Sequence, residues 1–211
     1  MRKSDRVSDW VVTALSVIGA LGVSLPQRTL ADDTITPPAV PAALKVEPGN
    51  VPFLVGHAVG TQNYVCLPSG SGFAFTLFTP QATLFDARGK QLITHFFSPN
   101  RNPSENGTIR ATWQHSKDTS TVWAKLVGNP YTDSDFVAPG AIAWLLLERA
   151  GVEEGPTGGD TLTKTTFVQR VNTAGGVAPP TGCDSLADVG KKAFVPYTAD
   201  YVFYEDPTAQ E

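Results

Sequence analysis

Cysteine, histidine and methionine are scarce in this chain of 211 residues, which holds two, three and one of them. Neither cysteine belongs to a CxxC pair, and no two histidines have HxH or HxxxH spacing, so no local metal-site pattern is present. A GxSxG elbow for a hydrolase nucleophile is missing. Ser98 and Ser116 lie near His95 and His115 in sequence, but triads are assembled in space, so that proximity carries no weight. The glycine-rich tract GPTGGD (155–160) lacks GxGxxG spacing and opens no helix, which removes the physical basis for a dinucleotide site. Positive charge is also short: 16 basic against 20 acidic residues leave a formal charge of −4. Such a balance gives no electrostatic footprint for nucleic acid or anionic lipid. Long apolar runs are lacking too. The run Trp10–Leu25 has 16 residues, against the ~20 that a spanning helix needs.

What is present begins with an export pattern. A basic head (MRKSDR), the short apolar run and a small-residue site at Thr29-Leu30-Ala31 read as a secretory signal peptide over residues 1–31. The expected location is therefore secreted, extracellular or periplasmic, with no membrane span after cleavage. The removed segment holds four basic and two acidic residues, so 12 basic and 18 acidic residues remain, a formal charge of −6. A remainder of this size suits a single domain with a substantial core. In an oxidising compartment the pair Cys66 and Cys183 is most simply one disulfide. It closes a long loop, worth up to about 4–5 kcal/mol on the chain-entropy account. Two thiolate metal ligands are the alternative.

Residues 32–50, rich in Pro and Ala, read as an extended spacer that does not pack. From Val51 the chain becomes short runs of Val, Thr, Phe, Tyr and Trp, each bounded by Gly, Pro, Asn or Asp. The predicted strands are 54–66 (one, or two broken at Gly60), 72–78, 81–86, 90–97, 108–115, 120–127, 166–172 and 201–205, with hairpin turns at Ala87–Gly89 and around Lys117-Asp118. The run AIAWLLLERA (141–150) fits a short helix or a buried strand, and the strand is preferred. The expected class is all-β: an antiparallel sandwich or barrel over residues 51–206, with at most one short helix, one disulfide and a tail at 207–211.

Candidate chemistry is sparse. His57, His95 and His115 fall on predicted strands and could jointly ligate zinc or copper. Otherwise no cofactor is expected. Acidic clusters at Asp133 and Asp135 and at Glu148, Glu153 and Glu154 read as solvated loop charge rather than glycosidase carboxylates or calcium ligands. Trp113 and Trp123, on facing strands of one hairpin, are candidates for an aromatic platform that stacks on sugar rings, to which YVFY adds Tyr201, Phe203 and Tyr204. Asn106 opens an NGT sequon, which marks a surface loop and is glycosylated only in a host that does so.

Several separated tracts occur together: GTQNYVC (60–66), ATLFD (82–86) followed by Gly89 and His95, AIAWLLLERA, TFVQRVNTAGGVAPPTGC (166–183) and VPYTADYVFYE (195–205). In these the chain resembles the DUF3455 family, secreted proteins of bacteria and fungi, over roughly residues 45–205. The family is defined by sequence, so the resemblance implies export and a common fold but no reaction. Two departures stand out. Ala143 stands where the family usually has Pro, which softens the turn into that segment. The tract after His95 reads FFSPNRNPSENG where the family commonly has GPTWE, so no contact of that Trp-Glu pair carries over.

The tract TFVQRVN places Gln169 and Arg170 at the centre of a strand, one on each face. The preferred account is structural: Gln169 satisfies backbone groups in the core, and Arg170 pairs with a carboxylate such as Glu148 or Asp200. The other account makes both residues line a ligand cleft, with Arg170 holding an anion bidentately. The leading functional expectation is a non-catalytic binding domain for carbohydrate or another cell-envelope component. A metal-dependent secreted enzyme using His95 with His57 or His115 is the second reading, and a structural or stress-related envelope protein the third.

Overall fold

The computed structural model describes residues 35–210, so the expected signal peptide lies outside the described residues. Eight strands follow in order: β1 (Val51–Ser69), β2 (Gly72–Phe85), β3 (Gln91–Pro99), β4 (Ile109–His115), β5 (Thr121–Leu126), β6 (Leu145–Glu153), β7 (Thr165–Gly175) and β8 (Lys192–Glu205). Each pairs antiparallel with its chain neighbour, and β8 pairs back onto β1, closing the sheet into an up-and-down barrel. The all-β expectation holds, in its barrel form. Among the described residues the only helical pieces are four 3-10 turns of three or four residues. The tract 141–150 forms no helix; it enters β6 at Leu145, after bridges at Ala141 and Trp144.

Several strand boundaries differ from the sequence expectation. Gly60 does not break β1; it lets β1 lie close on β2, where a Cβ would come within 2.1 Å of the Gln81 carbonyl oxygen. Tracts 72–78 and 81–86 form one strand through Pro80. Ladder pairing between β2 and β3 ends at Ala82, and the Phe97 N–H turns to the Thr79 hydroxyl instead. Strand β8 begins at Lys192, well before the expected Tyr201, because pairing with β1 carries it through Pro196.

Side chains alternate between two separate cores. Inward residues of all eight strands contribute to the barrel interior, including Ala58, Leu84, Ile93, Trp113, Val122, Leu147, Val168, Tyr201 and Phe203. Leu162, from the β6–β7 connection, is fully buried in this cluster and plugs one end of the barrel. Asp118 clamps that plug: its carboxylate accepts from Thr161 and from the backbone N–H and hydroxyl of Ser120, whose hydroxyl accepts from the Leu162 N–H. These bonds hold the Asp118 carboxyl well below the usual range, against the opposing cost of burial.

The second core lies on the outer wall of β6, β7 and β8, where Leu146, Phe167, Val171, Val202 and Tyr204 meet Leu44, Val137 and Trp144. Residues 35–50 are thus no loose spacer. Leu44 is completely buried, and Val40 and Val46 pack beside it. Gln169 belongs to this wall: its Nε2 donates to the Leu44 carbonyl at 2.6 Å and its Oε1 accepts from the Tyr204 hydroxyl at 2.6 Å. Burial pushes that phenol up to about 12. Gln169 therefore has the structural role expected of it. It ties the leading segment to the barrel.

Cys66, at the end of β1, forms a disulfide with Cys183 in the β7–β8 connection, with Cα atoms 5.5 Å apart and a sequence separation of 117. Replacing both cysteines by Ser should lower unfolding free energy by up to about 4–5 kcal/mol in urea titrations, and reductant should affect only the wild type. Gln169→Leu should cost about 1–3 kcal/mol by orphaning the Leu44 carbonyl and Tyr204 hydroxyl, and should speed proteolysis within residues 35–50. An unchanged cleavage pattern would remove Gln169 from the tie.

Candidate ligand cavity

Packing fills the plugged end of the barrel but not the other. Small inward residues, Ala111 and Ala124 on neighbouring strands, leave a cavity of about 590 Å³ open to solvent at the mouth. That size suits one small molecule. Apolar side chains line most of it, and four of them at the mouth are exposed: Leu77, Ile109, Leu126 and Val177.

A polar group gathers among these apolar walls: Gln62, Tyr64, His95, Trp113, Arg170 and Tyr201. Arg170 is half-buried on the inward face of β7. Its Nε and Nη2 donate to the Ala143 carbonyl at 3.1 and 2.9 Å. The expected carboxylate partners are elsewhere. Glu148 pairs with Lys125, and Asp200 accepts from Asn172 and lies 2.6 Å from His57. This corrects the structural account of Arg170: a backbone carbonyl, not an acid, is its partner. A Pro at position 143 would keep that carbonyl, so the substitution leaves the contact intact. Next to Arg170 the strand bulges at Asn172, which adopts a left-handed φ of 50°, and pairing with β8 skips from Val171 to Ala174. The bulge lets the Thr173 hydroxyl reach the Ile142 carbonyl, so β7 holds the mouth segment at two points.

His95 is almost fully buried and stacks on Trp113 with ring centroids 4.4 Å apart and planes within 9°. The carbonyl of Thr112 can only accept, so His95 Nδ1 carries the proton of their 2.8 Å bond and Nε2 keeps a lone pair. Burial, aided by nearby Arg170, lowers the imidazole to about 3, so the ring is neutral near neutral pH. The Tyr64 hydroxyl donates to the Gly176 carbonyl at 2.6 Å, and the Tyr197 and Tyr201 hydroxyls lie 3.3 Å apart. Burial raises Tyr64, an effect Arg170 opposes, and burial also raises Tyr197.

Among the described residues, two donors on the cavity wall lack aligned acceptors. Trp113 Nε1 is fully buried without a partner. Gln62 Nε2, on a residue only 2% exposed, lies near the Tyr197 hydroxyl but makes no aligned hydrogen bond. Orphaned buried donors are rare and costly. Sequence reading passed over Gln62 and Tyr64. The signal for both was a mid-strand Gln two residues before a Tyr in GTQNYVC, the same irregularity that flagged Gln169 and Arg170.

The remaining candidates fall apart in space. Trp113 points inward, whereas Trp123 lies on the outer wall, 3% exposed, with its Nε1 donating to the Ser98 hydroxyl. Alternation puts neighbouring Trp residues of this hairpin on opposite faces, so they form no exposed platform. The three histidines also separate: His57 sits outside beside Asp200, His95 inside, and His115 at the β4–β5 turn, 3.0 Å from Asp118. Among the described residues no group of three His, Cys, Asp or Glu is arranged to hold a metal ion. Asn106 is exposed at the rim, in a left-handed cap after the turn Pro103–Glu105.

The architecture is that of a closed eight-stranded up-and-down barrel with a one-ended internal cavity. Within that class the chain belongs to the DUF3455 family, described as a protein of unknown function, whose model matches residues 47–205. No curated protein and no solved structure matches it.

Unfolded His95 titrates near 6.5 and the folded residue near 3, so below pH 6.5 only the unfolded chain takes up this proton. Stability should therefore fall as pH drops from 6.5 toward 4.5, by about 1.4 kcal/mol per pH unit. In urea titrations across this range, His95→Gln should flatten the slope. An equal slope in both proteins would show that His95 is not held neutral.

Proposed function

We propose that this protein is a non-catalytic binding barrel that encloses one small, largely apolar molecule. The carrying observation is the 590 Å³ cavity, plugged at one end, walled by apolar side chains and open at a mouth with exposed Leu77, Ile109, Leu126 and Val177. Burying apolar surface is worth about 25 cal/mol per Å², so an apolar ligand has a substantial driving force here. The lining surface is mostly apolar, which suits a hydrocarbon better than a sugar. The low basicity of His95 supports binding over general-base chemistry. Export to an oxidising compartment is part of the proposal. The disulfide agrees with it, and among the described residues no helix is long and apolar enough to cross a membrane.

The uncharged fluorophore N-phenyl-1-naphthylamine should bind one-to-one with a saturable gain in fluorescence. Ala111→Trp, which fills the cavity from β4, should abolish the signal while thermal unfolding stays cooperative. Absence of saturable binding to the wild type would sink the proposal.

A further inference from the structure

Resting on that cavity reading, the geometry points to a more specific ligand class: an apolar molecule ending in a carboxylate, its head bound by Arg170 and its tail along the apolar lining. A guanidinium has five N–H groups arranged as two forks. Arg170 uses the fork of Nε and Nη2 on the Ala143 carbonyl, which leaves Nη1 and the second N–H of Nη2 without a partner among the described residues. That second fork has the geometry of a bidentate carboxylate site. Because the first fork is fixed, little ordering cost remains when the second one binds.

Independent observations supply the rest of the head-group site. Gln62 and Trp113, both more than nine-tenths buried, line the same cavity; among the described residues Trp113 Nε1 has no acceptor and Gln62 Nε2 no aligned one. An acceptor-rich head satisfies orphaned donors, whereas an alcohol or an amine does so poorly or adds a competing donor. Charge agrees. Among the described residues no Asp or Glu lines the cavity, and its other cations, Arg110 and Lys125, are paired with Glu105 and Glu148, so Arg170 is the cation there without an acid. His95 is neutral and accepts at Nε2, so it adds no competing cation. An anion brought to Arg170 is desolvated among apolar walls, where a fixed opposite charge acts more strongly than in water. A cationic or strongly polar ligand would meet the reverse.

The test compares heads on one tail. N-phenyl-1-naphthylamine is loaded into the wild-type protein and displaced at pH 8 by dodecanoate, 1-dodecanol or methyl dodecanoate. Dodecanoate should displace the fluorophore at least tenfold more effectively than either neutral compound. Arg170→Met should erase that preference while keeping fluorophore binding, and Arg170→Lys should retain only part of it, since a lysine has charge but no fork. Gln62→Leu should reduce the preference with the guanidinium left in place, which tests the head-group site by a second route if the Arg170 variants fold poorly. Equal displacement by the acid and the alcohol, with the fluorophore still bound, overturns this inference and leaves the cavity reading standing. Failure of the fluorophore to bind at all overturns both.

Discussion

Pairing of the first strand with the last holds the molecule in one piece. β1 and β8 run together from Val51 opposite Glu205 to Val65 opposite Lys192. Beyond the ladder, the Cys66 N–H donates to the Lys191 carbonyl and the Gly190 N–H to that of Cys66, and the disulfide to Cys183 then ties the end. Without this seam the other pairings would leave an open sheet with two bare edges. With it, every inward side chain faces others across a closed interior. Because the two strands lie at opposite ends of the domain, the seam carries a large loop-closure entropy, and the disulfide reduces it in the unfolded chain.

Closure also sets the electrostatics. The interior excludes water from His95, which stays neutral, and raises the tyrosines Tyr64 and Tyr197. Arg170 remains inside this environment because it sits toward the open mouth and is tied to a backbone carbonyl. A guanidinium loses less hydration there than an ammonium would, which favours arginine at this position. The same inward packing that isolates these groups stops short of filling the barrel, since Ala111 and Ala124, paired on neighbouring strands, are too small to reach across it.

How well the sequence could be read depended on whether a feature was local. Hairpin turns at Ala87–Gly89 and Lys117-Asp118 were legible because turn chemistry acts over a few residues. The disulfide was legible because two cysteines leave one pairing. β8 was recognised only from Tyr201, since its earlier half owes its strand form to β1 rather than to its own residues. Segment 35–50 looked unpacked because one buried Leu44 does not make a periodic pattern, and only the wall of β7 and β8 shows where it goes. Trp113 and Trp123 illustrate the limit of reading a hairpin alone: neighbours across two strands can sit on opposite faces, and only closure says which face is inside.

Alternation, turns, the cysteine pair and the family motifs were determined by the sequence alone, because each depends on residue type and spacing along the chain. Which face of each strand encloses the cavity was decided only by the tertiary structure, since inside and outside exist only once β8 meets β1. Gln169 and Arg170 show the division within one dipeptide. Their adjacency forces them onto opposite faces in any strand. Closure then sends Gln169 outward to the Leu44 carbonyl and Arg170 inward to the cavity, so one residue holds the fold and the other faces the space a ligand would occupy.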